Sequence, residues 1–325
     1  MSCARCVRST RCSAPTLSGV ESVKKFEHMA LIGCGLMGGS FALAAKRAGL
    51  VKRIVGYSKS PSTTSRARQM GVIDEEASSA LQAVSGADLV LLAIPVASTE
   101  STLANIKHLI NPDTLVMDVG STKMDVVAAA RRALRDRFGC FVPAHPITGK
   151  EVFGVDHADV NLYRDAQVVL TPTELTKVAQ LRQAEAIWKA IGTHVTSMAP
   201  EQHDAALAAS SHAPHLVAMA YMNSLLSQDG AHRMLSLAGP GFRDFTRIAA
   251  AEPQMWRDIF LANRSEILKQ IQSLQHILGS YEAALLSDDQ PALEHLLREA
   301  SSTRAQWKQG KLYTPESLSK HKTTA

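Results

Sequence analysis

The chain has 325 residues, 46% of them hydrophobic and 20% charged, with a formal net charge of +5 and five cysteines. That length is ample for two domains with sizeable cores, and no apolar run is long enough to span a bilayer. The positive balance sits at the ends: residues 1–27 and 308–325 each carry a net +3, which leaves −1 between them and argues against a nucleic-acid groove. Cys3, Cys6 and Cys12 crowd the N-terminus, and only Cys34 and Cys140 lie in the body, so neither a disulfide framework nor a metal site is expected. Residues 1–27 are Arg- and Ser-rich without a long apolar stretch. They read as an unstructured N-terminal extension and residues 311–325 as a polar tail, with the cytoplasm as the expected compartment.

The organising stretch comes early. An apolar run, Met29–Ile32, has the character of a buried strand and ends at Gly33; Gly35 and Gly38 complete a GxGxxG spacing, and Phe41–Ala48 reads as a helix. Glycine-rich turns also arise for structural reasons. Between a strand and a helix, however, the three glycines serve a tight turn, a close approach of backbone to pyrophosphate, and helix–strand packing. The backbone of Gly33, Gly35, Leu36, Met37 and Gly38 is therefore the expected dinucleotide cradle, at the positive end of the helix dipole. Lys52–Tyr57 reads as the second strand. Where such folds place a carboxylate on the adenosine ribose, this chain has Ser58, Lys59 and Ser60. Two hydroxyls and an ammonium suit a 2′-phosphate, so NADP is expected over NAD, although Lys59 also fits a plain solvated turn.

Ala87–Pro95 and Thr114–Val119 are further near-continuous apolar runs, separated by a helix over Thr99–Leu109, as in a parallel sheet covered on both faces. Cys140–Ala144, Ala166–Leu170 and Thr193–Ser197 read as strands, with a helix near 174–191, and complete a dinucleotide-binding domain over 28–198. From Pro200 strand signals vanish, and 199–310 reads as all-helical. One long helix is expected over His203–Leu226 and another over Trp256–Leu286, the latter with Ile259, Phe260, Ile267, Ile271, Leu274, Ile277 and Leu278 near one face as core or dimer interface. The fold class is thus an α/β Rossmann-type nucleotide-binding domain followed by an all-α domain.

Taken singly, the polar residues of the loops have plain readings. His145 or Ser121 could cap the segment that follows, Arg247 could be a surface ion pair, and His212 with His215 could be a metal pair, though no third ligand accompanies them. Together, a nucleotide loop, a histidine after a strand and a His/Arg-bearing helical domain suit hydride transfer from an anionic substrate.

Six segments carry a resemblance: GCGLMGGS (33–40), DVGSTK (118–123), HPITGKE (145–151), SSHAPH (210–215), GPGFRDFTRIA (239–249) and EPQMWRDI (252–259). In that order and at these intervals the sequence resembles the prephenate/arogenate (cyclohexadienyl) dehydrogenase family of tyrosine biosynthesis. The resemblance implies NAD(P)-dependent oxidative decarboxylation of prephenate or arogenate to 4-hydroxyphenylpyruvate or tyrosine, by a homodimer joined through its helical domain. It also implies that His145 is the neutral acceptor of the substrate hydroxyl's proton, oriented by Ser121, and that Arg247 pairs with a substrate carboxylate. By the same resemblance, His215 and Trp256 line the pocket and Glu151 and Asp244 shape its entrance, while His212 and Arg243 are structural. Lys150 and Val152-Phe153-Gly154 depart from the family's usual residues and leave the choice between the two substrates open. The competing readings are a β-hydroxyacid dehydrogenase or imine reductase relative, and a regulator that senses NADP without turnover.

Overall fold

The computed structural model describes residues 24–150 and 152–307. Glu151, residues 1–23 with their three cysteines, and the tail from 308 onward lie outside the described residues. Six strands form one wholly parallel sheet: β1 (Phe26–Ile32), β2 (Val51–Tyr57), β3 (Glu75–Glu76), β4 (Leu89–Leu92), β5 (Leu115–Asp118) and β6 (Phe141–Val142), in the order β3-β2-β1-β4-β5-β6. β1 takes in Phe26 and Glu27, so the folded domain starts earlier than residue 28, and Phe26 is fully buried. All four residues of β4 and of β5 are buried, because helices cover both faces. These helices are α1 (Leu36–Arg47), α2 (Pro61–Gln69), α3 (Ala80–Val84), α4 (Thr99–Ile106), α5 (Met124–Leu134) and α6 (Val178–Ala190).

The segment Cys140–Ala144 does not make one strand. Pro143 has no N–H to give a ladder, and the chain changes sheets there: β6 pairs with β5, while β7 (Ala144–Ile147) pairs antiparallel with β8 (Gln167–Leu170). With β9 (His194–Ser197), β7 and β8 form a second, three-stranded sheet. A T-shaped cluster of Phe41, Tyr163 and Trp188 fills the adjoining core, and the Tyr163 hydroxyl donates to the Met37 carbonyl at 2.7 Å, which steadies the first turn of α1.

The helical domain comprises α7 (Pro200–Leu207), α8 (Ala213–Leu226), α9 (Ala231–Ser236), α10 (Pro240–Thr246), α11 (Pro253–Ala262), α12 (Arg264–Leu286) and α13 (Gln290–Gln306). Both long helices expected here are interrupted. Between α7 and α8 lies a turn of π-helix, Ala208–His212. Pro214 cannot donate to the carbonyl four residues back, and the backbone widens just before it. The second break falls at Asn263, which leaves helical geometry (φ −105°, ψ 31°) and is almost wholly buried. Along the apolar stripe Ile259 and Ile267 are buried, whereas Leu274, Ile277 and Leu278 are 37%, 43% and 56% exposed in the single chain. No helix among the described residues is long and apolar enough to cross a membrane.

Candidate active site

The parallel sheet reverses its strand order between β1 and β4, and the crevice above their carboxyl ends is where such sheets bind ligands. Gly33 sits there at φ +97°, and a Cβ would lie 2.2 Å from the Ala93 carbonyl oxygen, so only glycine fits. A Cβ on Gly38 would lie 2.1 Å from the Gly33 carbonyl oxygen, which fixes α1 tight against the loop. Gly35 differs: nothing lies within 4 Å of its Cβ position. α1 also begins with neither a side-chain cap nor an acidic residue in its first turn. An uncapped helix N-terminus beneath open space at a glycine fits the diphosphate of a dinucleotide. At the end of β2, the Ser58 hydroxyl accepts from the Cys34 N–H at 2.9 Å and so braces the loop. Lys59 and Ser60 are exposed, and the Ser60 and Ser62 hydroxyls lie 2.8 Å apart at the start of α2.

Opposite the glycine loop, a buried ion pair locks the strand that carries His145. Asp118 ends β5, and its carboxylate accepts from the Ala144 N–H at 3.0 Å and the Gly120 N–H at 2.8 Å. Lys123, with no exposed surface, pairs with Asp118 and donates to the Ala144 carbonyl at 2.9 Å. The peptide groups of the residue before His145 are thus gripped from both sides. The imidazole itself is held from the helical domain: His145 Nδ1 lies 2.8 Å from His203 Nε2, and His203 Nδ1 lies 2.7 Å from Asp204 Oδ1. Asp204 also accepts from the backbone N–H groups of Lys123 and Met124, each at 2.9 Å, and so caps α5. Burial alone would raise its pKa, but the bonds from His203, Met124 and Lys123 outweigh it and keep the carboxyl below its ordinary value. Burial, with His203, Lys123 and His212 nearby, pushes His145 well below the usual imidazole range, so it is neutral.

A cavity of about 600 Å³, within the usual size for a small-molecule site, lies between the two domains. Its wall brings together Gly35, Leu36, Met37, Ser121, His145, His215 and Trp256. Ser121 makes no hydrogen bond to His145; the orienting contact is His203 instead. His215 stacks on Trp256 with ring centroids 3.7 Å apart, and its Nδ1 donates to the Ser211 carbonyl at 2.9 Å. Arg247 opens the turn Arg247–Ala250 and is exposed; the wall takes in its neighbour Ile248 but neither Arg247 nor Asp244. Asp244, also exposed, accepts from Arg243 at 3.2 Å. Lys150 lines the cavity and pairs with Asp159 at 2.9 Å, and Val152 and Phe153 close one side, Phe153 about half exposed. No group of three or more His, Cys, Asp or Glu side chains among the described residues is arranged to hold a metal ion.

Residues 41–197 match the family model described as prephenate dehydrogenase, nucleotide-binding domain, and residues 199–299 the one described as prephenate dehydrogenase, dimerization domain. The cyclohexadienyl dehydrogenase of Zymomonas mobilis is 32% identical over 86% of this chain and 95% of its own. The chain belongs to the prephenate dehydrogenase family. The prephenate dehydrogenase of Bacillus subtilis is 38% identical over 73% of this chain, and the match spans 64% of that protein's length. A solved structure of the Aquifex aeolicus prephenate dehydrogenase, in complex with hydroxyphenyl propionate and NAD+, superimposes with a TM-score of 0.81 at 34% identity, covering 86% of this chain and 97% of that one. These likenesses favour neither the hydroxyacid dehydrogenase nor the sensor reading.

Within this prephenate dehydrogenase family member, sequence reasoning passed over His203, Asp204, Asn263 and the cavity role of His212. The Asn263 amide donates to the Asp204 carbonyl at 2.8 Å and contacts His212 Nδ1 at 3.1 Å. With no N–H of its own needed at Nδ1, His212 carries its proton on Nε2, which is buried, without a partner among the described residues, on a ring that lines the cavity. Burial lowers His212 to a pKa of about 4, against an opposing contribution from Asp204. Trp256 Nε1 is likewise buried without a partner among the described residues. One signal was readable in advance: adjacent His203 and Asp204 at the start of an otherwise Ala/Leu-rich helix.

Proposed function

We propose that this chain catalyses the NAD(P)-dependent oxidative decarboxylation of prephenate, arogenate or both, giving 4-hydroxyphenylpyruvate or tyrosine. The observation that carries this reading is a neutral His145, held through Nδ1 by His203, in the wall of a cavity that begins at an uncapped dinucleotide loop. When bound, the nicotinamide accepts hydride from the ring carbon that bears the substrate hydroxyl. His145 Nε2 takes the hydroxyl proton as that carbon becomes carbonyl-like, and returns it to the phenolate oxygen once carbon dioxide has left and the ring is aromatic. Ser121 hydrogen-bonds the same hydroxyl, and burial of the histidine keeps water from competing for it.

At the other end of the substrate, the buried N–H groups of His212 and Trp256 are donors waiting for oxygen acceptors. His215 packs beside them, Arg247 clamps a carboxylate from the rim, and Asp244 and Glu151 shape the entrance. NADP is the cofactor we assign, because Lys59, Ser60, Ser62 and the start of α2 stand where an NAD enzyme presents a carboxylate. The exposed Leu274, Ile277 and Leu278 belong to the face that joins two copies of the chain. Its cofactor and substrates are soluble metabolites, and the cytoplasm is the compartment we assign it. One assay tests the reaction. Reduced cofactor and carbon dioxide should appear in equal amounts with prephenate or arogenate; reduced cofactor without carbon dioxide, or neither product, overturns the assignment.

A further inference from the structure

Behind His145 lies a chain of groups that the proton transfer just described does not use. We propose that His203 and Asp204 are a proton relay: as His145 Nε2 receives the substrate proton, the Nδ1 proton of His145 passes to His203 Nε2, and the positive charge comes to rest on the ring held by Asp204. This inference rests on the reading of His145 as the proton acceptor and says where the charge goes next.

The direction of the chain follows from what each group can donate. Asp204 accepts from two backbone N–H groups and from His203, and a carboxylate so surrounded is ionised and has no proton to give. His203 therefore carries its proton on Nδ1, and its Nε2 is an acceptor. The 2.8 Å contact to His145 is then a hydrogen bond only if His145 carries a proton on Nδ1, which leaves Nε2 of His145 with a lone pair for the substrate. His203 has no exposed surface and Asp204 almost none, so neither is placed to exchange protons with bulk water.

The surroundings make the relay useful. Lys123 and His212 both face His145 and disfavour a charge there, whereas His203 sits against a carboxylate. Asp125, close to Asp204, adds a further acidic group on that side, and Asn263 touches the cluster only with its neutral amide. Moving the proton one ring back exchanges an unfavourable site for a favourable one. The step balances. The substrate O–H bond breaks and His145 Nε2–H forms; His145 Nδ1–H breaks and His203 Nε2–H forms; the hydride goes to the oxidised nicotinamide. The electron pair of the bond to the departing carboxylate completes the aromatic ring, and the proton returns along the same path to the phenolate oxygen, so no net proton is released.

The test uses the full chain with its cofactor. In His203→Gln the side-chain oxygen can still hold the Nδ1 proton of His145 in place but cannot accept it. A relay predicts kcat lower by roughly 10²-fold with KM for the substrate and cofactor affinity within twofold of wild type; kcat above half of wild type overturns it. In Asp204→Asn the protonated diad loses its counter-charge, so the acid limb of the kcat/KM profile should move to lower pH, and an unmoved limb overturns the relay. Imidazole added to His203→Ala should restore turnover in proportion to its concentration, which a purely structural role would not permit. Should the variants fail to fold, ¹⁵N NMR of the wild-type histidines decides: His145 protonated on Nδ1 supports the relay, and on Nε2 overturns it. A wild type that releases no carbon dioxide would instead defeat the proposed reaction itself.

Discussion

The two walls of the cavity are built to different standards of completeness. On the side of the nucleotide-binding domain Asp118 and Lys123 are paired and grip Ala144, and His145 is held in turn by His203 and Asp204, which reach it from α7 of the helical domain. On the side of the helical domain the buried nitrogens His212 Nε2 and Trp256 Nε1 have no partner among the described residues. Groups that act on charge as it develops profit from being fixed beforehand. Groups that hold a substrate's oxygens must keep hydrogen bonds unmade until it arrives, at some cost to the empty protein. The largest expected effect tests the completed wall: His145→Asn should lower kcat by about 10²–10⁴-fold while cofactor affinity stays nearly unchanged. Over half of wild-type kcat in that variant would show that the wall serves packing alone.

The unfinished wall should reveal itself through pH. His212 titrates near 4 in the folded chain against 6.5 as its ordinary value, because burial opposes its charge. Between those values the unfolded chain binds the proton first. The contribution to stability is therefore fully present above about pH 6.5 and is lost as pH falls towards 4, by an order of 3 kcal/mol. Denaturant titrations of wild type and His212→Gln across that window should differ in slope, the variant being flatter. Parallel curves would mean that His212 is not the group that resists protonation.

Much of the first wall's frame was legible in the sequence, and little of its wiring. The glycine spacing after an apolar run located the crevice, because Gly33 and Gly38 leave no room for a Cβ and the pattern follows from sterics. The apolar runs ending at Ile94–Pro95 and Val119 located β4 and β5 to within a few residues, since strands buried on both faces have no polar alternation to blur them. Pro143 and Pro214 were visible but their consequences were not: one splits a strand between two sheets, the other forces a π-helical turn that aims Ser211, His212 and His215 at the cavity. His203 and Asp204 escaped because their partners, His145 and the start of α5, lie 58 and about 80 residues away in sequence. Chain order carries no trace of such a pairing.

A smaller effect separates holding the substrate from acting on it. If Arg247 clamps a carboxylate from the rim, Arg247→Gln removes a charge-assisted bond worth about 1.5–3 kcal/mol and should raise KM about 10–150-fold. Because the residue stands outside the cavity wall, kcat should change much less than KM. An unchanged KM rejects the clamp, and a fall in kcat as large as that of His145→Asn would erase the distinction between the two walls.

The smallest expected effect lies beyond either wall, where the cofactor's adenosine end would reach. Lys59 is exposed at the end of β2, beside the Ser60 and Ser62 hydroxyls and the start of α2. An ammonium in water is a modest binder: salt screens it within about 10 Å at 0.1 M, and a flexible side chain loses entropy when it is held. Lys59→Ala should therefore weaken NADP by about tenfold and leave NAD within twofold, with the difference shrinking as salt is raised. Ser58 offers the contrast, since its hydroxyl already accepts from the Cys34 N–H. Ser58→Ala should weaken both cofactors together, because it loosens the glycine loop that either would use. If Lys59→Ala weakens NAD as much as NADP, the ammonium acts on the shared diphosphate and the preference for a 2′-phosphate has to come from the hydroxyls and the helix start alone.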